Sequence, residues 1–325
     1  MNEQGQWKYF LKAYLERLNQ EMVAGRANRQ ESMPQIFWDD RDQQREVLHW
    51  ERHVQQLKQR NAHPLAAKIA AEPIRVKPFG PDHVEVVLRV HQELCYMHGD
   101  KVFQENQSGF RRVHLRRVNE EWRFDKPWES TWGPEHRIEQ VQPLMELAEL
   151  FAVPVNQTQS RGYDRLRAVA YADTFWNSPN PAYPYFTDDC TNFISQCVHA
   201  GNIPMVDTGN KTTGWWMRGG KSGLWSYSWT VAHSFHALLA SGRPPMYAER
   251  KKSPEELELG DIICYDFDGD GRWQHNTIVT AKDENGMPLV NAHTTNSSRR
   301  YWEYTDSSAY TDNIKYDFYH IRGKA

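Results

Sequence analysis

The residues with the most chemical potential stand in the run Asp188-Asp189-Cys190-Thr191-Asn192-Phe193-Ile194-Ser195-Gln196-Cys197-Val198. Behind Cys190, Phe193, Ile194, Cys197 and Val198 recur at helical spacing, which predicts a short helix with one face on a core. Asp188 or Asp189 suits its N-cap. A cysteine in the first turn meets unpaired backbone N–H groups and the positive end of the helix dipole, and both favour the thiolate. The same N–H groups can hold a developing oxyanion. Two acids just upstream oppose the thiolate, so activation needs a base from elsewhere in the chain. Without such a base, a cysteine in phase with an apolar face is what a buried core thiol looks like.

The second half of the chain offers that base. Leu259-Gly260-Asp261-Ile262-Ile263-Cys264-Tyr265 predicts a strand entered through a Gly-Asp turn, and His275 opens the run His275-Asn276-Thr277-Ile278-Val279-Thr280, whose alternate residues are apolar. A thiol at a helix N-terminus with a histidine on a later strand is the cysteine-hydrolase arrangement: the imidazole takes the thiol proton and a third polar residue orients the ring. Asn291 and His293 point to one face of Leu289 to Thr294, and Asn296 follows. The turn at Asn285-Gly286 decides among them. A two-residue turn pairs Glu284 with Met287, sets Asn296 opposite His275, and puts His293 on the other face. A three-residue loop with Gly286 in the left-handed region pairs Asp283 with Met287 and returns His293 to the side of His275.

Asp266, Asp268 and Asp270, with Gly269 and Gly271, imitate the start of a calcium loop. The twelfth position is Thr277 instead of the bidentate Glu, so a solvated turn is expected and no metal is assigned. Between the two halves of the site, Trp215, Trp216, Trp225, Tyr227 and Trp229 crowd a Gly- and Ser-rich segment. Such rings either wall a groove for a peptide or sugar or fill a core. Tyr185, Asp189, Trp215, Trp216 and Trp229 are the candidates for substrate contact. His233 and His236, on a helix from Val231 to Leu239, read as structural, as do His63, His83, His91, His98 and His114.

The elements around these residues follow from periodicity. Trp7, Phe10, Leu11, Tyr14, Leu15, Leu18 and Met22 mark an amphipathic helix ending near Gly25, and Val47, Trp50, Val54 and Leu57 mark a second with a narrow apolar seam. From Ile74 the period changes: Val84 to Val90 alternates as a half-buried strand does, and Phe110 to Val118 and Trp122 to Phe124 predict two more strands around Asn119-Glu120-Glu121. Helices followed by an antiparallel meander is an α+β pattern, and its last hairpin resembles those of cystatin-like or nuclear-transport-factor-like folds. Residues 1–130 therefore read as an α+β accessory domain. Residues 131–160 read as a helix, Ile138 to Phe151, and a linker, Pro154 to Ser160, after a Trp-, Pro- and Gly-rich boundary. Residues 161–325 read as a second domain, opening with a helix from Tyr163 to Ala172 and closing with strands that include Tyr316, Phe318 and Tyr319.

A length of 325 residues suits about two domains. With 39 basic against 42 acidic side chains, the charge balance argues against nucleic-acid binding driven by phosphate neutralisation. Cys95, Cys190, Cys197 and Cys264 show no C-x-x-C spacing and suggest neither a disulfide framework nor a zinc site. Met1 to Gln20 is polar and amphipathic with no apolar h-region, and no stretch approaches a membrane span. A cytoplasmic location without a membrane partner is therefore the expectation. Nothing fixes the oligomeric state.

Asp189-Cys190-Thr191-Asn192-Phe193-Ile194-Ser195-Gln196, Gly260-Asp261-Ile262-Ile263, and the run from Asp268-Gly269-Asp270-Gly271 through His275 to Val279-Thr280 resemble the putative amidase domain family. Its members are similar to papain-like bacterial cell-wall peptidases and CHAP amidases. The resemblance covers Tyr163 to the C-terminus and leaves the first half unaccounted for. It implies a papain-like α+β domain with a helix-borne cysteine on an antiparallel sheet, Cys190 as nucleophile, His275 as base, and no cofactor. It favours His293 over Asn291 and Asn296 as the orienting residue, and a peptide amide of the peptidoglycan type as substrate. The expected activity is amide hydrolysis through a thioester. Two other readings stay open: a peptide- or glycan-binding module without turnover, and an acyltransferase to an amine acceptor.

Overall fold

The computed structural model describes residues 6–24, 35–130, 162–218 and 223–323. Two compact units divide the chain, residues 1–137 with 304–308 and residues 138–303 with 309–325. Each combines helices with antiparallel strands, an α+β architecture.

In the first unit, α1 (Gln6–Ala24) and α2 (Asp40–Gln59) precede β1 (Ala62–Pro78), β2 (His83–His98) and β3 (Lys101–Val118), and β4 (Glu121–Phe124) and β5 (Glu129–Ser130) both pair with β3. α1 buries Trp7, Leu11, Tyr14, Leu18 and Met22, the stripe its periodicity predicts. α2 begins well before Val47 because Asp39 caps it, its carboxylate accepting from the N–H groups of Arg41 and Asp42. The meander likewise begins earlier than the period change at Ile74. β1 hides from a pattern search because most of its residues are exposed and it carries prolines. Prolines are tolerated at strand bulges, and the register of β1 on β2 shifts between Pro64 and Ala66 and again between Pro73 and Arg75. The predicted helix from Ile138 to Phe151 and linker from Pro154 to Ser160 lie outside the described residues.

The second unit places α3 (Arg165–Phe175), α4 (Cys190–Ala200), the single turn α5 (Tyr227–Thr230) and α6 (Ala232–Ala240) against six strands. These are β6 (Glu249–Lys251), β7 (Ile262–Asp266), β8 (His275–Lys282), β9 (Pro288–Ala292), β10 (Asn296–Tyr301) and β11 (Lys315–His320), in the order β10-β9-β8-β7-β11-β6. Phe193, Ile194, Cys197 and Val198 of α4 meet Ile262, Cys264 and Ile278 in one apolar core. Arg165 fastens the start of α3 to the strands through Asp261 Oδ1 (2.6 Å) and the carbonyls of Leu259 (2.8 Å) and Ile321 (2.5 Å). No helix among the described residues is long and apolar enough to cross a membrane.

The β8–β9 hairpin sets the site. Gly286 lies at φ 76°, and the N–H of Asp283 bonds the carbonyl of Met287 at 2.9 Å, which is the three-residue loop of the sequence reading. Pairing starts in the matching register, Lys282 with Pro288 and Ala281 with Leu289, but then shifts to Val279 with Val290 and Ile278 with Asn291. Thr280 is the extra residue of a β-bulge, and its hydroxyl donates to Asn291 Oδ1 at 2.7 Å. A one-residue slip exchanges the faces of everything beyond it. Continued along the ladder, the shifted register sets Asn276, not His275, beside His293.

Candidate functional site

Cys190 is the first residue of α4 and is 5% exposed. Asp189 holds the N-cap position without making a side-chain cap. Its carboxylate is spent elsewhere, accepting from the Phe186 N–H (3.1 Å) and Asn192 Nδ2 (2.9 Å) and facing His293 Nδ1 (2.7 Å). The Cys190 sulphur lies 3.6 Å from the Thr191 hydroxyl and 4.0 Å from the Gln274 carbonyl, and the backbone N–H groups of Asn276 and Thr191 favour its charged form. Asn276 Nδ2 in turn donates to Thr191 Oγ1 at 2.9 Å. Burial pushes the Cys190 thiol above its ordinary range, against the pull of Thr191 and the Asn276 N–H, and nearby Asp189 adds to the rise. The resting group is a thiol.

The two expected histidines fall on opposite faces of the sheet. Asn276 shares the face of α4, as its bond to Thr191 shows, so the alternation of β8 sends His275 to the other side. There the His275 ring lies 5.6 Å from that of Tyr265, its partner across the ladder, and 6.1 Å from that of Phe267. The expectation that a three-residue loop brings His293 to the side of His275 is thus not met, and the bulge at Thr280 is the reason. His293 sits on the α4 side, stacked on Phe193 at 3.9 Å, with Nδ1 on Asp189 and Nε2 2.8 Å from the Phe175 carbonyl. Both ring nitrogens being engaged, His293 does not orient His275. Asn291 faces α3, where Nδ2 donates to Asp173 (2.9 Å). Asn296 opens β10 with its Oδ1 buried and without a hydrogen-bond partner among the described residues.

Burial, helped by the charge of Arg300, pushes His275 down to about 3. That value lies below the imidazole's ordinary 6.5, so between the two the unfolded chain binds the proton and the folded chain does not. Stability present above pH 6.5 should therefore be lost as the pH falls toward 3, at up to about 1.4 kcal/mol per pH unit. Replacing His275 by Phe should flatten this acid limb in urea titrations at successive pH values. Equal slopes for the variant and wild type would contradict a buried neutral imidazole.

Of the five rings that either wall a groove or fill a core, Trp215, Trp216 and Trp229 are core residues, whereas Trp225 is half-buried and Tyr227 exposed. Trp215, Trp216 and Trp229 are each 0% exposed, and their indole N–H groups donate to Ser195 Oγ, the Thr213 carbonyl and Asn192 Oδ1, each at 3.0 Å. Their faces are closed to a ligand, because an aromatic-rich loop that folds back on its own helix buries the rings it would otherwise present. Asp189, 1% exposed, is also filled by internal partners. Tyr185 stays half-buried, its ring 6.3 Å from that of His293. Asp266 accepts the N–H groups of Gly269 and Gly271 at 2.8 Å each, Asp268 accepts from Gln274 Nε2, and Asp270 accepts from the Arg272 N–H. These carboxylates shape the loop that leads into β8.

Sequence reasoning passed over Thr191, Asn276 and the Gln274 carbonyl, although all three adjoin residues it singled out. Thr191 follows the cysteine directly, and Gln274 and Asn276 flank His275. The one signal was parity: if Gln274 and Asn276 reach the helix, His275 cannot.

Residues 162–319 match the family described as a putative amidase domain. Cys190, Thr191, His275, Asn276 and His293 all fall inside that match. The uncharacterized protein YhbB of Bacillus subtilis (strain 168) is 59% identical over 159 residues, which are 49% of this chain and 50% of that protein. The uncharacterized protein YjcM of the same organism is 30% identical over 161 residues, 47% of this chain and 36% of that protein. The chain thus spans half or less of the length of these relatives. No solved structure matches it.

Proposed function

We propose that the second unit is a papain-like cysteine amidase in which Cys190 attacks a peptide amide, of the cell-wall type that the resemblance implies. One observation carries this reading: the sulphur stands at the N-terminus of a buried helix beside the Thr191 hydroxyl, with the Asp189–His293 pair on the same sheet face. The match to a putative amidase domain supports the choice of an amide.

His293 is the imidazole on the sulphur's side. Asp189 accepts from Nδ1–H, so Nε2 takes the thiol proton only after the ring has left the Phe175 carbonyl and Nε2 has given up the proton it donates there. His275 serves instead only if the first residues of β8 turn over. The thiol proton passes to the imidazole as sulphur bonds the amide carbon, and the backbone N–H of Cys190 and of a neighbour hold the oxyanion. The imidazolium then gives its proton to the departing amine, leaving a thioester that water hydrolyses to acid and thiol.

Acid-quenched reactions with a peptide p-nitroanilide and a p-nitrophenyl ester, read by intact mass, test the proposal. A single hydroxylamine-labile adduct on Cys190 is expected, formed about 10²- to 10⁴-fold more slowly in His293→Ala and at the normal rate in His275→Ala. Absence of any adduct in the wild type would overturn the hydrolase reading and leave a binding module. Loss of the adduct in His275→Ala, with His293→Ala unaffected, would transfer the base to His275. An adduct resolved by added amine, with a new amide as product, would identify an acyltransferase.

A further inference from the structure

Asn276 is 0% exposed, yet its carboxamide is half used: Nδ2 donates to Thr191 while Oδ1 has no hydrogen-bond partner among the described residues. A buried, unsatisfied amide oxygen is destabilising, and an apolar residue of similar volume would fill this place more cheaply. Thr191, also 0% exposed, presents the same puzzle, since Val has its shape without the hydroxyl. Both side chains converge on one atom. Thr191 Oγ1 lies 3.6 Å from the Cys190 sulphur and accepts from Asn276 at 2.9 Å.

A threonine hydroxyl has one proton and two lone pairs. With a lone pair taken by Asn276, the proton is free to point at sulphur. The third neighbour, the Gln274 carbonyl at 4.0 Å, can only accept, so it serves the thiol and opposes the thiolate. When the proton leaves, the contact with Gln274 loses its hydrogen, and the donors that remain are the Thr191 hydroxyl and the backbone N–H groups of Asn276 and Thr191.

We infer that Thr191 and Asn276 form a hydroxyl–carboxamide relay that holds the Cys190 thiolate as it forms, Thr191 donating to sulphur and Asn276 fixing the direction of that hydroxyl. The relay deepens the reading of Cys190 as nucleophile and rests on it. Asn276 is a positioning residue, acting through Thr191. The relay offsets part of the burial that keeps the resting group a thiol.

Iodoacetamide labelling of Cys190 in the native protein, followed by mass from about pH 6 to about pH 10, reads the thiol without requiring turnover. Thr191→Val should move the labelling midpoint up by about one pH unit, a tenfold loss of rate below the midpoint, and Thr191→Ser should restore it. Asn276→Asp keeps the volume but replaces the amide donor with a carboxylate that accepts the Thr191 proton, so it should move the midpoint at least as far. Identical profiles for the wild type, Thr191→Val and Asn276→Asp would overturn the relay, as would a Thr191→Ser variant that behaves like Thr191→Val while melting like the wild type. These results are separate from those of the adduct experiment. A shifted midpoint without any acyl adduct would leave the relay standing and sink the amidase, whereas an adduct with unshifted midpoints would do the reverse.

Discussion

Cys190→Ala should abolish the acyl-enzyme and bring amide turnover to the uncatalysed background while leaving the fold intact. The loss should be on the order of a million-fold, the scale on which removing a nucleophile acts when the rest of the site works only through it. Stability should change by about 1 kcal/mol or less, since the substitution removes one sulphur from a helix end whose apolar face, Phe193, Ile194, Cys197 and Val198, remains packed. Cys197 and Cys264 supply the control. Both are 0% exposed, and burial holds both thiols well above their ordinary range. Neither abuts the hydroxyl and strand-end carbonyl that Cys190 does, so Cys197→Ala and Cys264→Ala should keep the adduct. Rates with a peptide p-nitroanilide and melting curves for the three variants check this. Residual turnover in Cys190→Ala above about 1% of the wild-type rate would mean that another group attacks the amide.

The parts of the site that were legible in the sequence are those governed by local spacing. The apolar repeat behind Cys190 gave α4 its start, and Gly286 gave the hairpin its loop, with Asp283 bonded to Met287. What could not be read is whatever a single inserted residue decides. Thr280 has no special type, and its bulge is stabilised by Asn291 from the next strand, a partner that only the folded pair brings near. Because strand faces alternate strictly, that one residue was enough to separate His275 from His293 although the turn itself was as expected. The tryptophans stayed ambiguous for another reason. Their number predicts large aromatic contacts but not who makes them, and the internal acceptors Ser195 Oγ and Asn192 Oδ1 draw Trp215 and Trp229 inward. Asp189 shows the same limit at the helix end. Its type suits an N-cap, yet a histidine more than a hundred positions away takes the carboxylate instead.

That long-range pair should carry the largest stability effect in the second unit. Asp189 and His293 are 1% and 2% exposed, so removing one partner leaves the other buried without its bond. Asp189→Ala should cost about 3–5 kcal/mol, because it strands the His293 ring and also the Phe186 N–H and the Asn192 amide that the same carboxylate accepts. His293→Ala should cost less, since Asp189 keeps those two donors. Asp189→Asn separates the charge from the scaffold. An amide oxygen can still accept from Phe186 and Asn192 and fills the same volume, so melting should fall by only about 1 kcal/mol. The adduct rate should nevertheless drop, because a neutral amide beside Nδ1 no longer stabilises the imidazolium formed when Cys190 loses its proton. Denaturant midpoints and adduct rates for the three variants decide the matter together. If Asp189→Asn melts and acylates like the wild type, the buried pair is scaffolding for the loop before Cys190 and takes no part in the chemistry. If it melts like the wild type but acylates slowly, the same hydrogen bond that closes the core also prepares the base.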